Sequence, residues 1–185
     1  MLKKIFLICV VVIIMFLAAG CSSSKEAKLT KEFLQKYYTV SETDYEKYKE
    51  IILSGDKLDV QKSEKDIGLD YEKVKKIYQD ENEKFKPYLS EEAYGDFMKM
   101  REAVGRIDKA YKGKYYIEVD KIQIDKKDKV EVNNEECIKF SYTMKYSKKY
   151  IDKNTVENLQ VKGSILLEML GEQWKISEYN KFAPV

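Results

Sequence analysis

The apolar positions of this chain change period once, at Tyr115, and that change limits the folds open to it more than any motif does. Ahead of it they recur at steps of three and four, the spacing of one helix face. Leu29, Phe33, Leu34 and Tyr37 form a first such face. After a break around Val40 to Glu42, Thr43 and Glu46 make a capping box for a second helix carrying Tyr45, Tyr48, Ile51 and Ile52, and Gly55 is a natural stop. The stretch from Asp56 to Gly68 is polar and reads as a long loop with at most a short turn of helix. Tyr71, Val74, Ile77, Tyr78 and Phe85 predict a third helix that Pro87 ends. Ser90 caps a fourth, with Glu91 and Glu92 at the positive end of its dipole and a stripe of Ala93, Phe97, Met100, Val104, Ile107 and Tyr111 running to Gly113.

After Tyr115 the pattern alternates. Ile138, Phe140, Tyr142, Met144 and Tyr146 take turns with Lys139, Ser141, Thr143 and Lys145, the pattern of an antiparallel strand with one dry and one wet face. Further strands are expected at Tyr116 to Ile124, Leu159 to Leu170 and Trp174 to Tyr179, with polar turns at Lys126 to Lys129 and Lys148 to Asn154. Gly171-Glu172 places glycine first in a two-residue link, which suits a type II′ hairpin. Helices over about 29–112 followed by strands over about 115–182 predict a single α+β domain, its helices packed on one face of an antiparallel sheet.

The N-terminus carries a different message. Lys3 and Lys4 precede a charge-free apolar run from Ile5 to Gly20, the order of a secretory signal. Its end, Leu17-Ala18-Ala19-Gly20-Cys21, resembles the lipobox of bacterial lipoprotein precursors. That resemblance implies cleavage between Gly20 and Cys21, a diacylglyceryl group on the Cys21 sulfur and a domain held at the outer face of the cell membrane. The chain then divides into a signal peptide (1–20), a lipidated cysteine with a tether that includes Ser22, Ser23 and Ser24 (21–28), and the folded domain (29–185). An uncleaved membrane span is the competing reading, since Ile5 through Ser24 holds no charge. Both readings keep Lys3 and Lys4 inside and put the domain outside.

Composition removes several chemistries. The 34 basic residues face 32 acidic ones, and two of the lysines leave with the leader, so the mature part balances and nucleic acid is excluded as a partner. Histidine is absent, which removes imidazole general bases and His-built zinc or copper sites. Cys9 lies in the leader and Cys21 at the anchor, leaving Cys137, at the head of an apolar run, as a buried structural thiol with no disulfide partner. Phosphate loops, nucleophile elbows and EF-hand loops are missing, and adjacent acids such as Glu91-Glu92 and Glu135-Glu136 read as a cap and a turn. No cofactor, metal site or catalytic residue is expected.

Two short segments, Pro87-Tyr88-Leu89-Ser90-Glu91-Glu92-Ala93-Tyr94 and Gly171-Glu172-Gln173-Trp174-Lys175-Ile176, together with the layout, resemble the NTF2-like (cystatin-like) superfamily, as found in small lipoproteins of Gram-positive bacteria. The resemblance spans about Leu29 to Phe182 and implies a curved sheet that can enclose a pocket, for which Tyr142 and Glu168 are the candidate lining residues. The leading expectation is a non-enzymatic envelope lipoprotein that binds a protein partner as scaffold, assembly factor or regulator. Its 15 tyrosines join apolar area to a polar tip, and Tyr115, Tyr116, Tyr146 and Tyr150 are the candidate contacts. The alternatives are a small-molecule binder using a pocket between helices and sheet, and an NTF2-like isomerase or hydrolase with a carboxylate/Tyr site.

Overall fold

The computed structural model describes residues 24–56 and 64–181. Leu17, Ala18, Ala19, Gly20 and Cys21 therefore lie outside the described residues, with everything else ahead of Ser24. Among the described residues five helices come first: α1 (Lys25–Tyr38), α2 (Glu42–Asp56), α3 (Glu64–Glu83), α4 (Glu91–Lys99) and α5 (Glu102–Gly113). Four strands follow: β1 (Tyr115–Val132), β2 (Glu135–Tyr150), β3 (Val156–Leu170) and β4 (Gln173–Lys181). They form one antiparallel sheet in the order β1-β2-β3-β4, so the chain is an α+β domain with a meander.

Local chemistry sets the helix ends. The Ser24 hydroxyl accepts from the Ala27 backbone N–H at 3.4 Å, so α1 starts at Lys25 and the residues from Lys25 to Lys28, expected as tether, form its first turn. The capping box of α2 lies two residues earlier than predicted. The Asp44 N–H donates to Ser41 Oγ at 3.2 Å while the Ser41 N–H donates back to Asp44 Oδ2 at 3.0 Å. Helix α3 begins at Glu64, inside the segment expected as loop, because a helix start made of charged residues carries no apolar period to read.

The predicted fourth helix is two helices. It breaks at Met100 and Arg101, where Arg101 takes a left-handed conformation with φ of 55°. That strain is held by Tyr78: the Arg101 guanidinium lies over its ring at 5.0 Å and donates to its hydroxyl at 2.6 Å. Met100, expected in the core, is 71% exposed at this break, whereas Ala93, Phe97, Val104 and Ile107 are buried as expected.

In the sheet, Lys126 to Lys129 belong to β1 and are not a turn. The link falls instead at Asn133-Asn134, with φ of 53° and 65°, the paired positive values of a type I′ hairpin. The charges mislead because β1 is an edge strand with much of its length wet. Gly171 takes the expected positive φ, 61°, at the first position of the β3–β4 link.

One face of the sheet, with Ile138, Phe140, Tyr142 and Met144 of β2 opposite Leu167, Ile165, Gly163 and Val161 of β3, is covered by helices. Phe33, Leu34 and Tyr37 of α1, Phe97 of α4, and Phe85 and Leu89 of the α3–α4 link complete this core. A second cluster, Val40, Tyr48, Val104, Ile107 and Ala110, sits where α2 and α3 pack on α5. Cys137 is buried as predicted, and burial, with Glu168, Glu135 and Glu178 nearby, pushes its thiol above the ordinary range.

Candidate functional site

The chain contains only two arginines, Arg101 and Arg106, among dozens of lysines. Arg106, on α5, lines an open concavity beside α1 and β1. Its side chain is 10% exposed. One Nη donates to the Thr39 carbonyl at the end of α1, and the other lies 3.8 Å from the buried carboxylate of Glu81 on α3. The guanidinium also stacks 5.5 Å over the Phe85 ring. Lys84 joins the network by donating to Glu81 at 2.6 Å and approaching Asp44 at 3.5 Å. Three separate helices and a link are tied together through one planar cation, the role for which arginine suits better than lysine.

This network forms the base of an open groove of about 760 Å³. Its walls are Lys31, Glu32, Gln35 and Lys36 of α1, Tyr88 of the α3–α4 link, and Asp120, Lys121 and Ile122 of β1. The α1 wall is polar because the opposite side of the same helix, Thr30, Phe33, Leu34 and Tyr37, is spent on the core. The β1 wall is the outer side of the edge strand.

Electrostatics separate the paired groups from the unpaired ones. Burial pushes the Asp44 carboxyl up, but hydrogen bonds from the Ser41 N–H and hydroxyl, with Lys84 and Arg106 nearby, outweigh that and hold it below the usual carboxylate range. Burial pulls Arg106 down from its ordinary range, against the pull of Asp44 and Glu81. The Arg106 Nε and one Glu81 oxygen are buried without a hydrogen-bond partner. Among the described residues Lys31, Lys36 and Lys121 have no carboxylate within ion-pair distance, Lys36 lying instead over the Tyr88 ring at 5.3 Å. Asp44, held in its charged form by Ser41 with Lys84 at 3.5 Å, is a weak proton acceptor.

The residues singled out from sequence are placed elsewhere. Tyr142 is 2% exposed and packed in the core against Gly163, its cross-strand partner. Glu168 lines a separate, smaller concavity with Glu92, Asp96, Glu135 and Glu178. The two are not brought together, and neither lines the main groove. Of the tyrosines, Tyr115 and Tyr150 pair across β1 and β2 with ring centroids 5.6 Å apart, and the Tyr150 hydroxyl donates to Glu157 at 2.9 Å. Tyr116 packs edge-on to Tyr45 and Tyr146 leans on Tyr38, so all four are half-buried in ring contacts. Sequence reasoning missed Arg106, Glu81 and Asp44; the signal that could have found them is the rarity of arginine.

The fold is thus an α+β domain with an open groove between a helix and an edge strand. No described helix is long and apolar enough to cross a membrane, and no group of three or more acidic or cysteine side chains is arranged for a metal among the described residues. No family model matches the chain, and no curated protein matches it. Among solved structures it is similar to the intermembrane space region of the chloroplast protein ARC6, with 14% identity and a TM-score of 0.37 over 55% of this chain and 78% of that one. A likeness that distant bears neither on fold assignment nor on function.

Proposed function

We propose that this protein is an envelope lipoprotein, tethered through Cys21 to the outer face of a bacterial membrane, whose NTF2-like α+β domain binds a protein partner and catalyses no reaction. The observation that carries the reading is the groove itself: an open, charge-lined channel built on a buried ionic hub, with its one hydroxyl–carboxylate pair, Ser41 and Asp44, already held by cations. The order of helices before a meander supports the NTF2-like assignment.

Distance to the lipid adds to it. The groove wall α1 starts at Lys25, only a few residues past Cys21, and 14 residues of helix measure about 21 Å at about 1.5 Å per residue. The link from Cys21 spans at most roughly 3.6 Å per residue. The groove is therefore held close to the membrane surface, where a partner would be an envelope protein with a membrane-proximal segment.

A second reading, a small-molecule binder, draws on the groove volume, which falls in the range of ligand pockets. Photo-crosslinking in intact cells from Gln35, which lines the groove, separates the two. The first reading predicts one saturable protein adduct. No adduct above that from a probe at Lys162, exposed on β3, would count against it.

A further inference from the structure

Resting on that reading of the groove, we infer that its occupant is an acidic, extended segment of the partner protein, added as a further strand to the outer edge of β1 between Lys121 and Ile124.

The backbone argument starts at Val40. Strand β1 is the outermost of the sheet, and among the described residues its free side pairs at one place, where the Val40 N–H donates to the Ile117 carbonyl and the Ile117 N–H donates back, each at 3.0 Å. Both backbone groups of Ile117 thus point away from β2. Register shifts between Val119 and Lys121 and between Ile124 and Lys126 bracket a regular window in which Ile122 opposes Met144 and Ile124 opposes Tyr142. Carried across the first bulge, the alternation that turns Ile117 outward also turns Ile122 and Ile124 outward. The groove meets this window at Lys121 and Ile122, with α1 as its far wall. A helix beside an unpaired strand edge is the geometry that accepts an extended peptide by main-chain pairing.

The charge argument names the peptide. Lys84 and Arg106 are neutralised by Asp44 and Glu81, leaving Lys31, Lys121 and, over the Tyr88 ring, Lys36 as the groove's cations without a carboxylate partner. Against them stand Glu32, 3.8 Å from Lys28, and Asp120, which accepts from Ser147 at 3.4 Å. Lysine on an edge strand also repels stray apolar strands, which accounts for Lys121 but not for Lys31 and Lys36, which reach the groove from a helix. Lysines on both walls admit an acidic strand and reject a basic one.

The test uses the full-length protein in phosphatidylcholine nanodiscs and two labelled peptides of equal length, one alternating Glu and Val, the other Lys and Val. The acidic peptide should bind saturably and more weakly as salt is raised. The Lys31→Glu/Lys36→Glu/Lys121→Glu variant should weaken binding by about tenfold or more. N-methylation of alternate peptide residues should abolish it, a change that leaves the protein untouched. Equal binding of both peptides, no binding of the acidic one, or indifference to the triple reversal would overturn the inference. So would binding of phosphatidylglycerol vesicles in place of the peptide, which would assign the lysines to lipid. A Gln35 adduct mapping to a non-acidic segment would overturn the strand-addition inference while leaving partner binding intact; absence of that adduct would remove both.

Discussion

At the scale of single residues, the molecule turns on Arg106. Its side chain and that of Glu81, 10% and 3% exposed, are charges removed from water together. Such a pair adds little net stability when intact, but breaking it strands the remaining charge. Arg106→Met should therefore lower the unfolding free energy by about 3 kcal/mol or somewhat more, the low end because Lys84 still reaches Glu81. Removing both charges, Arg106→Met with Glu81→Leu, should recover most of the loss. Urea denaturation with an unchanged slope checks this; a double variant no better than the single would show that the pair is not coupled. Gly163 gives a second residue-level expectation. A Cβ there would collide with the Tyr142 ring and hydroxyl and come within 2.6 Å of the Asn180 carbonyl, a backbone atom with little room to yield. Gly163→Ala should destabilise by about 1–3 kcal/mol as overpacking, read in the same denaturation experiment. Tyr142 was legible as an inward-facing strand residue, but its role was not. Alternation tells which face a side chain takes and says nothing of whether that face is sealed.

At the scale of elements, periodicity located nearly every helix and strand, and misplaced them where charge or strain overrode it. The split between α4 and α5 shows this best, since the stripe from Ala93 to Tyr111 keeps helical spacing straight through the break. At the break Arg101 meets Tyr78 on α3, a tertiary interaction that no local pattern encodes. The start of α4, by contrast, was plain: Ser90 caps it, its hydroxyl accepting from the Ala93 N–H at 3.3 Å while its own N–H donates to the Ile176 carbonyl of β4 at 2.9 Å. Ser90→Ala removes the first bond and keeps the second. It should cost about 1 kcal/mol, and Ser90→Asp should restore most of it, since either side chain serves as a cap. Thermal melting distinguishes these outcomes. The turn at Asn133-Asn134 was overlooked because the charge run of Lys126 to Lys129 drew the prediction upstream.

At the scale of the whole molecule, two packed clusters and one groove share the same helices. The larger core buries tyrosines along with aliphatic residues, and this sets how the protein meets alkali. Burial raises the phenols of Tyr37, Tyr38 and Tyr179 well above the ordinary range, with Glu102 adding to the effect at Tyr37 through a hydrogen bond. For a group whose folded value is raised, the stability it contributes is whole below the unfolded value and falls away as pH climbs from there toward the folded one. Absorbance of tyrosinate should therefore rise in two parts, the exposed phenols first and the buried ones only as the fold gives way. A single smooth titration with the near-ultraviolet circular dichroism intact would mean that these rings are accessible. The groove was the least legible feature, since it is assembled from α1, α5, β1 and the α3–α4 link, segments far apart in the chain. The proposed address, in contrast, rests on one contiguous run from Lys3 to Cys21. The proposed function joins the two: a groove at the membrane because the wall helix follows the anchor so closely. Intact mass and fragmentation of the N-terminal peptide from native membranes tests that junction directly. The account predicts a chain that begins at Cys21 with a diacylglyceryl group on its sulfur. A soluble chain that begins at Met1 with an unmodified Cys21 would contradict it.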